Sequence, residues 1–188
     1  MNKAVFLDRD GTINVDKAYI SKIDDFEYIQ GAIEGLKLLQ DAGYLLFVVT
    51  NQSGIARGYY SEKTFLELNS WMVDDLRDKG IYISKVYYCP HHPNGKIKKY
   101  RVICSCRKPK LGMYLQAIDE FDIDVSKSFA IGDKIRDSAI CENTECKGFL
   151  ISNLEDPLYI ENVKNGKYRN VEYKENLYEA AKTIIGGK

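Results

Sequence analysis

Ala4-Val5-Phe6-Leu7, followed at once by Asp8-Arg9-Asp10-Gly11-Thr12, is the stretch on which the fold turns. Four apolar residues in a row fit a parallel strand buried on both faces. The chain leaves that strand through a pair of carboxylates, and in extended backbone residues two apart point to the same side. The same form recurs downstream. Leu45 to Val49 runs into Thr50-Asn51, Ile83 to Tyr88 runs into Cys89, and Ser128 to Ile131 runs into Gly132-Asp133. Phe149 to Ile151 is a further apolar run.

Helical periodicity fills the intervals. Ile33, Leu36 and Leu39 mark one face between Gly31 and Ala42, with Gly43 placed to stop that helix. Phe65, Leu68, Met72 and Leu76 mark a second helix, with Ser61 as its N-cap and Glu62 favourable in its first turn. Leu111, Leu115 and Ile118 mark a third, a fourth is expected from Lys134 to about Asn143, and Leu177, Ala180, Ala181 and Ile184 mark a fifth. Strand alternating with helix predicts an α/β fold, a doubly wound (Rossmann-like), mostly parallel sheet in one domain over residues 1–188. Ser152 to Asn170 is polar and irregular and gives no assignment.

A chain of 188 residues is long enough for one well-buried domain. Its 27 basic residues balance 27 acidic ones, so no overall field draws it to nucleic acid or to an anionic membrane. Any preference for an anion must come from a local site. No apolar run approaches the length of a bilayer span, and Met1-Asn2-Lys3 leads straight into the first strand without room for a secretion signal. The expectation is a cytoplasmic protein, monomeric for want of an apolar surface stripe. In that reducing setting its five cysteines suggest metal or free thiols before disulfides.

In an open α/β sheet the carboxyl ends of the strands form the ligand crevice, and here they carry polar residues. Two adjacent carboxylates repel unless a cation sits between them, and a hard ion such as magnesium suits Asp8 and Asp10. Asp133 and Asp137 offer further oxygen ligands or support. Thr50, Asn51, Lys108 and Lys134 supply the hydroxyl, amide and ammonium groups that hold the oxygens of a transferring phosphoryl group.

A second constellation lies at Cys89-Pro90-His91-His92-Pro93 and Cys104-Ser105-Cys106. Residues 89–109 hold both histidines, three of the five cysteines and three of the four prolines, which is hard to reconcile with an ordinary loop. Cys89, His91, Cys104 and Cys106 form a closed set for a structural, tetrahedral zinc stapling the loop 89–107, with His92 the other candidate nitrogen. The loop ends on Arg107, whose guanidinium fork would meet a second anionic or hydroxyl-rich part of a substrate. Cys141 and Cys146 read as packing residues.

Phe6-Leu7-Asp8-Arg9-Asp10-Gly11-Thr12, Val48-Val49-Thr50-Asn51, Lys108-Pro109 and Ile131-Gly132-Asp133-Lys134 resemble the four ordered motifs of the haloacid dehalogenase superfamily. That resemblance implies a phosphatase in which Asp8 attacks phosphorus to give an aspartyl-phosphate and Asp10 serves as acid and then base. It also implies magnesium held by Asp8, the Asp10 carbonyl and Asp133, with Thr50 and Lys108 steadying the phosphoryl group. The intervals after the first two motifs are too short for a cap domain, so the chain is expected to be capless.

The runs Asp8 to Asp16, Thr50 to Gly58, Tyr87 to Pro93 and Cys106 to Pro109 further resemble phosphatases of sugar bisphosphates that feed surface polysaccharide such as lipopolysaccharide. This implies substrate contacts at Asp16, Lys17, Ala18, Tyr19, Asn51, Gln52, Ser53, Arg107 and Lys134. Histidinol-phosphate phosphatases, similar in the Cys-x-Cys-Arg-Lys-Pro run, are the alternative. A signalling receiver domain or a zinc-stapled binding module is the reading from a different class.

Overall fold

The computed structural model describes residues 1–151 and 157–186. Its centre is a six-stranded sheet in the order β3-β2-β1-β4-β5-β6, every neighbouring pair parallel. The strands are β1 (Ala4–Leu7), β2 (Leu45–Asn51), β3 (Ile83–Cys89), β4 (Phe129–Gly132), β5 (Lys147–Ile151) and β6 (Val171–Lys174). Helices α1 (Ala32–Asp41), α2 (Ser53–Arg57), α3 (Glu62–Asp78), α4 (Gly112–Phe121), α5 (Ile140–Asn143), α6 (Pro157–Lys164) and α7 (Leu177–Gly186) connect or follow them.

Alternation along the strands sorts the apolar side chains into two layers. Val5, Leu7, Leu46 and Val48 pack with Leu36, Leu39, Met72, Leu76 and Leu177 on the face covered by α1, α3 and α7. Ala4, Phe6, Phe47 and Val49 pack with Met113, Tyr114, Ala117, Ile140 and Val163 on the face covered by α4, α5 and α6. The continuous apolar runs of β1 and β2 are the consequence of two buried faces.

The helix signals fall where the residues predict, with instructive departures. Gly43 takes φ +84° after α1, a left-handed conformation that glycine adopts without penalty, and Ser61 Oγ accepts from Thr64 N at 3.0 Å to cap α3. In α4 the buried face is Met113, Tyr114 and Ala117, whereas Leu115 is exposed; the expected apolar stripe was set off-phase by a surface leucine. The expected fourth helix is broken into a 3-10 turn at Ile135–Ser138 and the short α5. The break has a cause, since Asp137 Oδ2 turns back to accept from Lys134 N at 3.0 Å. Helix α6 and the edge strand β6 lie in or just beyond the stretch left unassigned, whose residues 152–156 fall outside the described ones.

Strand order reverses beside β1, between β2 on one side and β4 on the other. A parallel sheet opens a crevice at that switch point, at the carboxyl ends. Leu7 registers with Val48 and Ile131, and Asp8 N donates to Ile131 O at 3.0 Å. Asp8, Thr50 and Asp133 therefore leave the sheet at one edge.

Candidate active site

Two glycines let the acidic residues converge. Gly11 has φ +80°, and a Cβ there would stand 2.5 Å from the Asp133 carboxylate. A Cβ on Gly132 would stand 2.2 Å from Asp137 Cβ. With both spaces free, carboxylate oxygens of Asp8, Asp133 and Asp137 gather within 4.8 Å of one another, all three residues buried.

Lys108 is the counter-charge. Its Nζ lies 3.0 Å from Asp8 Oδ1 and 2.7 Å from Asp137 Oδ1, and it donates to Val49 O. The backbone bearing it is clamped by Asn51, whose Nδ2 donates to Lys108 O and whose Oδ1 accepts from Lys108 N, each at 3.0 Å. Burial lifts the Asp8 carboxyl to about 7; Lys108 opposes that rise, while Asp137, Asp133 and Asp10 add to it. Burial likewise raises Asp133, with Asp137 adding to it. Asp133 Oδ1 is buried with no hydrogen-bond partner. Three crowded carboxylates faced by two ammonium groups, Lys108 and Lys134 (whose Nζ donates to Asp133 Oδ2 at 2.7 Å), and retaining an orphaned acceptor have the chemistry of a hard-cation site.

Asp10 points elsewhere. Its Oδ1 accepts from Arg9 Nη2 at 2.8 Å, Arg9 Nε at 3.2 Å and Asn14 Nδ2 at 3.0 Å. Its Oδ2 accepts from Arg9 Nη2 at 3.0 Å and Gln52 Nε2 at 2.9 Å. Burial alone would raise its pKa, but the Arg9 charge and these hydrogen bonds outweigh that and hold it below the ordinary carboxylate range. Gln52 Nε2 also donates to Thr50 Oγ1 at 2.9 Å, and Tyr60 OH donates to Gln52 Oε1 at 2.7 Å.

Above these groups opens a cleft of about 400 Å³ lined by Asp8, Asp10, Asp16, Ala18, Tyr19, Asn51, Gln52, Ser53, Arg57, Tyr60, Arg107, Lys134 and Arg136. Most of the sequence-predicted contacts meet there. Lys17 does not line it: the lysine is turned outward and pairs with Glu27 at 2.9 Å. Ala18 and Tyr19 carry φ +57° and +61°, a strained pair that turns the loop over the cleft, where Tyr19 packs edge-on to Tyr59 at 4.6 Å. Sequence reasoning missed Arg57, Tyr60 and Arg136. Arg57 lies within the run Thr50 to Gly58, and Arg136 follows Lys134 by two, but only the folded turns aim them at the cleft.

The second constellation also assembles. Cys89 Sγ lies 3.5 Å from Cys104 Sγ and 3.8 Å from His91 Nδ1; Cys106 Sγ lies 3.2 Å from Cys104 Sγ and 3.4 Å from His91 Nδ1. These separations of 3.2–3.8 Å match or fall slightly short of the roughly 3.5–3.8 Å edges of a tetrahedron around zinc with its usual sulfur and nitrogen distances. Hydrogen bonding from neighbouring thiols, His91 and the Arg107 backbone overcomes burial and brings the Cys104 thiol down to about 6, whereas burial pushes the Cys89 and Cys106 thiols up, so without a metal one thiolate is shared among the three. His92 is engaged elsewhere, accepting from Asn94 N at 3.1 Å and lying 3.1 Å from Arg57 Nη2. Cys141, on α5, and Cys146, just before β5, are buried in the core.

A model of the polynucleotide kinase 3 phosphatase family matches residues 3–164, which places the chain among the phosphatases of the haloacid dehalogenase superfamily. It is 48% identical over 188 residues, the whole of both chains, to the D-glycero-beta-D-manno-heptose-1,7-bisphosphate 7-phosphatase of Pasteurella multocida. It is 52% identical over 146 residues to the like-named protein of Haemophilus ducreyi, covering 77% of this chain and 80% of that one. The solved D,D-heptose 1,7-bisphosphate phosphatase of B. bronchiseptica, complexed with magnesium and phosphate, superposes with a TM-score of 0.83 at 26% identity over 99% of each chain. The chain belongs to the heptose-bisphosphate phosphatase family, and the histidinol-phosphate alternative is not favoured.

Proposed function

We propose that this chain hydrolyses the 7-phosphate of D-glycero-D-manno-heptose 1,7-bisphosphate, with the beta anomer as substrate after the names of its relatives. The observation that carries the reading is end-to-end similarity to those enzymes in a chain with a cleft that sets Asp8, backed by Lys108, and Asp10 beneath Arg57, Arg107, Lys134 and Arg136.

In this reading Asp8 attacks the phosphorus at C7, and the bond from phosphorus to the sugar oxygen breaks as Asp10, ionised in the free site and protonated from solvent as the anionic substrate binds, gives that oxygen a proton. Water then attacks the aspartyl-phosphate, Asp10 takes its proton, and phosphate leaves as Asp8 is regenerated. Lys108 and Thr50 hold the phosphoryl oxygens. The orphaned Asp133 oxygen and the crowding around Asp8 fit magnesium, with Asp8, the Asp10 carbonyl and Asp133 as its protein ligands. When bound, the ion would neutralise charge on the transferring group. Asp137, tied to Lys108 and to Lys134 N, would remain outside that set.

The far end of a bisphosphate needs donors, and the cleft has them. Arg57 Nε and Arg136 Nε are buried without hydrogen-bond partners, beside Arg107 and Lys134. The loop from Asp16 to Tyr19 would cover the sugar. Zinc at Cys89, His91, Cys104 and Cys106 would fix the loop that delivers Arg107 and Lys108. No described helix is long and apolar enough to cross a membrane. A monomer acting in the cytoplasm, upstream of lipopolysaccharide, completes the reading.

Phosphate release from the heptose bisphosphate, histidinol phosphate and a generic monoester, each with and without magnesium, tests it. The bisphosphate should be preferred by at least about tenfold in kcat/KM, and only with the metal. Preference for histidinol phosphate, or inertness toward all three, would overturn it.

A further inference from the structure

Arg9 is the largest fully buried side chain of the described residues, 1% exposed, and its place in the site is otherwise unexplained. Its guanidinium sits 5.5 Å over the ring of Phe65 on α3, itself buried, and reaches Asp10 through a fork of two nitrogens. The remaining nitrogen, Nη1, is buried without a hydrogen-bond partner. That arrangement is a poor choice for stability. A buried ion pair gains little over apolar residues of the same volume, and an unsatisfied buried N–H adds a further penalty. A methionine would fill the same space over Phe65 at lower cost.

What Arg9 does supply is aim. A free aspartate side chain rotates about two bonds, and Asp10 lies close enough to Asp8 for its charge to act on that carboxyl. The Arg9 fork fixes the plane of the carboxylate, Asn14 Nδ2 fixes one oxygen, and Gln52 fixes the other. Asn14 is itself tied to Val15 O at 3.0 Å and Gln52 to Tyr60 at 2.7 Å, so the donors are held in turn. The result is a carboxylate presented at the cleft wall in one orientation.

We propose that Arg9 is a positioning residue for proton transfer: it orients Asp10 so that the proton reaches the departing oxygen. This rests on the phosphatase reading above and adds a residue to it. Asp8, Lys108 and Thr50 are untouched by Arg9, so its removal should spare attack at phosphorus and impair only delivery of the proton.

Leaving groups separate those effects. An alkyl phosphate such as the sugar bisphosphate must release a strongly basic oxygen and needs the proton; p-nitrophenyl phosphate releases a weak base and does not. The value of kcat/KM reports only the steps up to departure of the alcohol. In Arg9→Met, kcat/KM for the sugar bisphosphate should fall by more than about tenfold, while that for p-nitrophenyl phosphate stays within about threefold of wild type. Arg9→Lys keeps the charge and most of the volume but lacks the fork, and should show the same selective loss in smaller degree. It also serves if Arg9→Met fails to fold. Equal losses on the two substrates in the folded variants would make Arg9 merely structural, and no loss on either would remove it from the mechanism. A wild-type enzyme inert toward both would instead overturn the phosphatase reading.

Discussion

Lys108 Nζ stands 2.7 Å from Asp137 Oδ1, with the two side chains 0% and 1% exposed. The lysine thus faces Asp8 on one side and a non-nucleophilic aspartate on the other. Asp137 is what keeps a buried ammonium charged and aimed, since its attraction and that of Asp8 outweigh the lowering effect of burial. Removing one partner of such a pair leaves the other charge uncompensated. Asp137→Ala should cost about 3 kcal/mol or more in urea unfolding and reduce kcat sharply. Unchanged stability would show that the pair is not formed in solution.

Asp8→Asn tests the nucleophile itself. The amide keeps the shape and removes one of three crowded carboxylates, so the fold should persist. Turnover should fall below about a thousandth of wild type. Circular dichroism establishes the fold, and near-normal phosphate release would sink the role of Asp8.

Acidity follows from the same crowding. Without metal the Asp8 carboxyl sits at about 7 against an ordinary 3.8, so in the folded protein it holds its proton through most of the range between. A cation needs the carboxylate. Magnesium affinity should therefore be full above about 7 and decline as pH falls below it, with proton release on binding. Titration calorimetry at about pH 6 and about pH 8, in buffers of different ionisation enthalpy, reads both effects. Equal affinity at the two values would contradict the shift.

Gly132 offers a purely steric test. Alanine there would drive its Cβ to 2.2 Å from Asp137 Cβ, a contact that side-chain rotation cannot relieve because both atoms are fixed to the backbone. Gly132→Ala should lose about 1–3 kcal/mol and most of the activity as Asp137 is pushed from Lys108. A variant with wild-type melting temperature and kcat would mean the turn after β4 is looser than this.

Zinc has its own assay. The protein purified without chelator should carry about one zinc per chain by elemental analysis, and Cys104→Ser should carry far less. Stripping the metal should lower the melting temperature by about 5 °C or more and raise KM more than it lowers kcat, because the loop carries Arg107 into the cleft. A protein without zinc and with unchanged kinetics would leave the cluster as free thiols.

Elements whose physics is local could be read from residue order alone. The apolar runs of β1, β2 and β4 could only be buried strands, and Ser61 and Gly43 bound their helices through conformations and hydrogen bonds spanning a few residues. The acidic, amide and cysteine residues were legible because their types and strand-end positions are themselves the signal. Contacts between distant parts of the chain set the rest. Residue type did not say that Lys17 would turn outward to Glu27 while Arg57 and Arg136 turned in, because the loops that aim them pack against distant elements. Strand β6 escaped notice since an edge strand of four residues with one buried position carries almost no pattern. The deepest case is the opening stretch itself. Asp8 and Asp10 were expected to share one side, yet the turn at Gly11 and the buried fork of Arg9 send Asp10 to Asn14 and Gln52 and leave Asp8 with Lys108. Spacing along a chain sets which groups can meet; only packing across it fixes which of them do.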